Sequence, residues 1–170
     1  MRIRRERPDD GAAVSAVHRA AFGRPVEDEL NRRLHEGPWS LPHFSLVATG
    51  ADGGVMGHVI ATRGYVGRGP VLGLGPLGVL PEHQGRGCGS ALVHALLGAA
   101  QARDEPLVAL LGDPAFYGRF GFRPAAEWGV AAPDPRWGDH FQALALVDDA
   151  PRGLFRYADP FTSVIRVEDS

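Results

Sequence analysis

Apolar and polar positions change rhythm several times along the chain, and each change marks an element. Met1 to Glu6 is short and charged, and predicts an edge strand. Pro8 and Asp9-Asp10 suit a helix start, and Val14, Val17, Ala20 and Ala21 follow at helical spacing. Gly23-Arg24-Pro25 breaks that pattern. A second helix is predicted over Val26 to His35, with Leu30 and Leu34 inward, until Gly37-Pro38 ends it. His43 to Thr49 and Val55 to Thr62 read as strands joined by the turn Ala51-Asp52-Gly53-Gly54. Gly64 to Pro70 predicts a loop. Val71 to Leu80 predicts a strand that Pro81 ends, because proline brings no N–H to a ladder.

Leu92, Val93, Leu96, Leu97 and Ala100 form one apolar stripe and predict a helix from Ala91 to Ala100, with His94, Gly98 and Gln101 on its far side. Pro106 to Leu111 is almost wholly apolar, as in a strand buried on both faces. Asp113-Pro114 opens a short helix, Ala115 to Arg119, which Gly121 closes, and Phe122 starts an extended piece. After a loop at Pro133-Asp134-Pro135, His140 to Val147 reads as a strand. Asp148 to Gly153 is turn-rich, and Leu154 to Val167 could add a strand of unassigned position. The order βααβββαβαβ places the chain in the α/β or α+β class with one mixed sheet.

Length and charge narrow the function classes. A chain of 170 residues is expected to form one domain. A net charge of −2 gives no basic footprint for nucleic acid. All 18 basic residues are arginine, which excludes lysine Schiff-base chemistry. One cysteine excludes an intrachain disulfide, and with no His pair at i and i+4 no metal site is expected. No apolar stretch reads as a signal peptide or membrane span. A soluble cytoplasmic protein, monomeric or homodimeric, is the expectation.

The chemistry concentrates where the strand ending at Leu80 gives way to the helix. Gln84-Gly85-Arg86-Gly87-Cys88-Gly89-Ser90 lies at that turn. The first turn of a helix leaves N–H groups unpaired, and its dipole favours an anion such as a phosphate. Three glycines let a ligand approach the backbone, and Arg86 adds a charge suited to phosphate. Two other phosphate motifs fail. A P-loop needs a lysine, and the Gly-x-Gly-x-x-Gly at Gly73 to Gly78 opens no helix.

Gln84 to Gly89 resembles the Gln/Arg-x-x-Gly-x-Gly/Ala motif of the GNAT acyltransferases, and Pro76 to His83 looks like the strand that leads into it. Leu111 to Phe122, LGDPAFYGRFGF, resembles the family's later helix with its Tyr-x-x-x-Gly-Phe ending. With Gly-Asp-Pro before the aromatics, it looks most like the YhbS-type branch. The resemblance implies a twisted, mostly antiparallel sheet with flanking helices, whose strands before and after the main helix splay apart. It implies acetyl-CoA as co-substrate and an amine acceptor, a small molecule or a protein. Gln84, Gly87 and Gly89 match the motif positions, with Gly85, Arg86, Cys88 and Ser90 in the same turn. Leu77, Gly78 and Val79 match the strand that pairs with the pantetheine amides. Gly75-Pro76 suggests a bulge or splay just upstream.

Tyr117 matches the tyrosine that the family places beside the CoA sulfur, where a phenol could protonate the leaving thiolate. Its alternative is packing alone. The general base stays open. Asp113 sits at a strand end but suits a helix N-cap. His58 and His83 have no evident partners, and Glu27, Asp28 and Glu29 suit dipole compensation. Cys88 reads as buried packing rather than a nucleophile. The competing function is a catalytically weak acyl-CoA-binding module.

Overall fold

β4 (Gly69–Val79) is the strand from which the sheet is laid out. Its apolar residues face both ways, so both faces must be covered. The computed structural model describes residues 1–158 and 160. On one side of β4 lies β3 (Val55–Val66), then β2 (Ser45–Thr49) and the edge strand β1 (Arg2–Arg5), all antiparallel. On its other side the parallel strand β5 (Leu107–Leu111) follows, then β8 (Phe141–Ala145) and the two-residue β6 (Arg123–Pro124). β9 (Gly153–Arg156) pairs with the end of β3 and with β7 (Val130–Ala131). The sheet is thus mixed and mostly antiparallel, as expected.

Helix α3 (Cys88–Gln101) covers one face. Leu92, Val93, Leu96 and Ala100 bury against Leu46, Ala48, Val59, Ala61 and Leu72. The far-side residues His94, Gly98 and Gln101 are exposed, as their spacing requires. Helices α1 (Gly11–Phe22) and α2 (Val26–Glu36) lie over the other face, where Leu30 and Leu34 meet Ile60. α1 ends at Gly23 in the left-handed region (φ 68°), with its N–H bonded to the Arg19 carbonyl. α4 (Pro114–Tyr117) follows β5 directly. No described helix is long and apolar enough to cross a membrane.

Several boundaries differ from the sequence expectation. Gly64 to Pro70 is not a loop: β3 runs to Val66 and β4 starts at Gly69, around the turn Gly67-Arg68. The glycines there serve close packing. A Cβ on Gly64 would lie 3.0 Å from the Phe155 ring, and one on Gly69 2.8 Å from Pro151. α3 starts at Cys88 rather than Ala91, because Gly87 (φ 83°) supplies the cap. β2 starts at Ser45, after a 3-10 turn at Pro42–Phe44. Of the tail, Gly153–Arg156 forms β9, while residues 159 and 161–170 lie outside the described residues.

Candidate functional site: an open strand edge beside a helix N-terminus

β4 and β5 are paired only at Leu72–Val108 and Gly73–Ala109. Beyond that point β5 stays paired with β8 through Leu111, while β4 continues alone toward Val79. On its other side β4 remains bonded to β3, with Val59 opposite Leu77, His58 opposite Gly78 and Gly57 opposite Val79. Residues Gly75 and Pro76 face the single residue Ile60, which is a β-bulge. The strands therefore fork. From Leu74 to Val79 one edge of β4 offers backbone N–H and C=O groups with no strand partner, and an extended amide chain can add there.

The open edge runs into the turn before α3. Pro81 to His83 forms one 3-10 turn, and the Gln84 side-chain amide donates to the Val79 carbonyl at 3.0 Å. Gln84 thus ties the turn to the strand end. Gly85 (φ 68°) and Gly87 (φ 83°) are both left-handed, a conformation that costs a side-chain-bearing residue energy. Gly89 is different. It lies in the helix, where a Cβ would touch Phe116, Val79 and Leu77 at ordinary distances of 3.5 to 3.9 Å. The first backbone bond of α3 runs from Ala91 N–H to the Gly87 carbonyl. The N–H groups of Cys88, Gly89 and Ser90 therefore remain available at the N-terminus, the arrangement that favours an anion. Arg86 is exposed, and the Cys88 side chain is 3 % exposed in the core, with burial pushing its thiol pKa up.

The other prong of the fork carries the aromatic block. Tyr117 lies on Gly112, where a Cβ would come 2.5 Å from its ring. It makes edge contacts with Phe116 (4.9 Å between centroids) and Phe122 (5.8 Å). Burial pushes its phenol up to about 12, so it stays protonated at any ordinary pH. Asp113 caps α4, its carboxylate accepting from the Ala115 N–H at 2.9 Å. The capping reading therefore describes its local role. Tyr157, which the sequence left unplaced, packs at the fork. A Cβ on Gly73 would lie 3.1 Å from its ring, and its hydroxyl meets the Leu111 backbone.

On the α1 face, His58 does have partners, contrary to the sequence expectation. It is fully buried, 2.8 Å from His18 Nε2 through Nδ1, and 3.0 Å from Glu6 Oε2 through Nε2. Burial lowers the pKa of His58, and brings His18 down to about 3. Burial would raise Glu6, but hydrogen bonds from His35, His58 and Ser45 outweigh it and hold the carboxylate well below its usual range. The signal missed was His18 itself, a polar side chain on the buried stripe of Val14 and Val17. Glu27 pairs with Arg24, Asp28 with Arg19, and Glu29 with Arg32 and Arg33. Their first-turn position fits dipole compensation.

A parallel pair that forks beside a glycine-capped helix leaves an open backbone edge next to free amides, an arrangement that suits a ligand with an amide arm and an anionic end. The acetyltransferase (GNAT) domain family matches residues 43–124. The uncharacterised N-acetyltransferase YhbS of Escherichia coli K12 is 34% identical over 157 residues, covering 91% of this chain and 92% of YhbS. Another from that strain, YjhQ, is 32% identical over 161 residues, covering 89% and 88%. The chain belongs to the GNAT acetyltransferase family. Its fold superposes on the crystal structure of E. coli YhbS in complex with CoA with a TM-score of 0.85 and 32% identity, covering 95% of this chain and 91% of that one. A Brucella melitensis GNAT acetyltransferase in complex with acetyl-CoA gives 0.78 and 33%, covering 94% and 97%.

Proposed function

We propose that this chain transfers the acetyl group of acetyl-CoA to a primary amine by direct attack. The observation that carries the reading is the fork of β4 from β5 beside free amides at the start of α3. Pantetheine pairs with the open backbone of Leu77, Gly78 and Val79, and the pyrophosphate lies on the turn Gln84 to Ser90. CoA complexes of similar GNAT proteins support this placement. Gly85 and Gly87 shape the turn, Cys88, Gly89 and Ser90 supply amides, Gln84 fixes it to the strand, and Arg86 faces a phosphate.

The amine nitrogen attacks the thioester carbonyl, the tetrahedral intermediate collapses and the C–S bond breaks. Tyr117 donates to the sulfur as charge develops there. A thiol with an ordinary pKa of about 8.5 is a stronger acid than a phenol near 12. Full proton transfer from Tyr117 is thus uphill, and its hydroxyl acts by hydrogen bonding to the departing thiolate. The ammonium proton of the acceptor leaves to water. The transfer itself needs no metal.

One observation favours a second reading, a weak acyl-CoA-binding module. Of the candidate bases, Asp113 is engaged as a cap and His58 is fully buried against α1. A screen of primary amines with CoA release as readout decides. Acceptor-dependent release in single-turnover experiments supports the enzyme. CoA binding by calorimetry without release from any amine supports the module.

A further inference from the structure

Outside the fork, the described residues hold one cluster of metal-type donors. Glu6, His35 and His58 come from the end of β1, from α2 and from β3, and one donor atom of each lies within 4.8 Å of the others. His35 Nε2 is 2.8 Å and His58 Nε2 3.0 Å from the same oxygen, Glu6 Oε2. Ser45 Oγ is hydrogen-bonded to that oxygen and lies 2.9 Å from His58 Nε2.

The outward partners of the two rings fix what their inner nitrogens can do. His35 Nδ1 sits 2.8 Å from the Asn31 carbonyl, which only accepts, so Nδ1 carries a proton. His35 Nε2 is then the nitrogen presented to the Glu6 carboxylate, whose hydrogen bond raises the pKa of the ring. His58 Nδ1 is held by His18 Nε2, which leaves His58 Nε2 to the same centre. Two imidazole nitrogens and a carboxylate oxygen thus converge on one point. Without a metal, protons bridge the two rings to the Glu6 carboxylate. The outer bonds to Asn31 and His18 are those that orient metal-ligating histidines. Access exists as well. Glu6, His35 and Ser45 line a cavity of about 880 Å³ between α1 and α2, so a metal can enter and keep one open position for water. Asp10 and Glu36 also face the cluster, Asp10 held by Arg4 and Glu36 by Arg32.

We propose that Glu6, His35 and His58 form a divalent-metal site that takes zinc, with Ser45 Oγ or water from the cavity as the fourth ligand. Nitrogen and oxygen donors of this number suit zinc, at bond lengths of about 2.0–2.2 Å. The protons that bridge Glu6 to the rings leave as the metal enters. The site lies on the α1 face, apart from the forked edge, and acts as a staple joining β1, α2 and β3.

The test is calorimetric titration of the full chain with zinc chloride, beside melting curves in zinc and in EDTA and the visible spectrum with cobalt(II). One-to-one binding, a melting temperature raised by zinc, and a tetrahedral or five-coordinate cobalt band are expected. Glu6→Gln and the rim variant His35→Gln should each weaken zinc at least about tenfold. His35→Gln tolerates the change most readily, because its side chain is one-third exposed. Absence of saturable binding at 100-fold excess of zinc overturns the site. So does zinc affinity unchanged in both variants, which would put the metal on other histidines.

Discussion

The two sides of β4 are built from different chemistry. The fork edge works through backbone, as the amides of Leu77 to Val79 and of the α3 N-terminus, set by glycines whose φ angles no side chain readily adopts. The α1 face works through side chains, His18, His58 and Glu6 interlocked beneath a helix. A backbone site tolerates most side-chain exchange and fails when the chain path changes. A buried side-chain cluster behaves in the opposite way, since losing one partner strands the others. Substitutions one residue apart on β4 can therefore have separate consequences.

The largest expected effect comes from changing the chain path. Gly87→Val places a β-branched residue at φ 83°, though its Cβ meets nothing within 4 Å. The strain of about 1–3 kcal/mol moves the turn and not the core. Loss of even two charge-assisted bonds to phosphate, each about 1.5–3 kcal/mol, weakens CoA by on the order of 100-fold or more. Calorimetry with CoA, with circular dichroism as the fold control, measures this. Equal affinity in mutant and wild type would remove the turn from the site.

Tyr117→Phe comes next. The ring stays on Gly112 and among Phe116 and Phe122, so packing is kept. A single-turnover rate lower by about 10- to 1000-fold is expected, with the acetyl-CoA dissociation constant little changed. With its phenol at about 12, Tyr117 remains the protonated donor up to that pH and loses its proton only above it. The wild-type rate should therefore show no falling limb from Tyr117 near pH 10. An unchanged single-turnover rate returns Tyr117 to packing alone. A limb near pH 10 that vanishes in the mutant would contradict its burial.

These residues also show how much of the molecule was legible before its structure. The fork's parts are contiguous: a strand, Pro81, a glycine turn and an apolar stripe, then Asp113-Pro114 and its aromatics. Local geometry fixes them, and local sequence reveals them. The second strand of the β3–β4 hairpin was obscured at its start, because Gly64 and Gly69 look like loop residues. Their small size answers to Phe155 and Pro151, some 90 and 80 positions on. Glu6, His35 and His58 stand 29 and 52 positions apart in their bonded pairs, and only the tertiary fold brings them together. Tyr157 likewise owes its place at the fork to a chain end with no local pattern.

Gly78→Ala probes the boundary between the two sides. A Cβ there would come 3.0 Å from His18 Nδ1 and 3.4 Å from Val17, with the backbone edge facing elsewhere. Overpacking of this kind costs about 1–3 kcal/mol. A lower melting temperature with CoA affinity within about twofold of wild type is expected. A loss of CoA affinity as large as that of Gly87→Val would show that the two sides are one unit.

The smallest effect belongs to Arg86, and it tests how far side-chain charge matters at a backbone site. Arg86 is exposed, so its attraction to a phosphate is screened by water and salt. Exposed charge pairs contribute about 0.2–1 kcal/mol, which makes Arg86→Ala a loss of roughly 1.4- to fivefold in CoA affinity. That loss should shrink as ionic strength rises. It should be smaller for dephospho-CoA or absent for pantetheine, depending on which phosphate Arg86 meets. The ordering follows from the geometry, since the amides of Cys88, Gly89 and Ser90 remain in place in the mutant. A uniform, salt-independent loss across the three ligands would mean that Arg86 shapes the turn rather than answering the phosphate. The division between a backbone site and side-chain chemistry would then fail on the fork side itself.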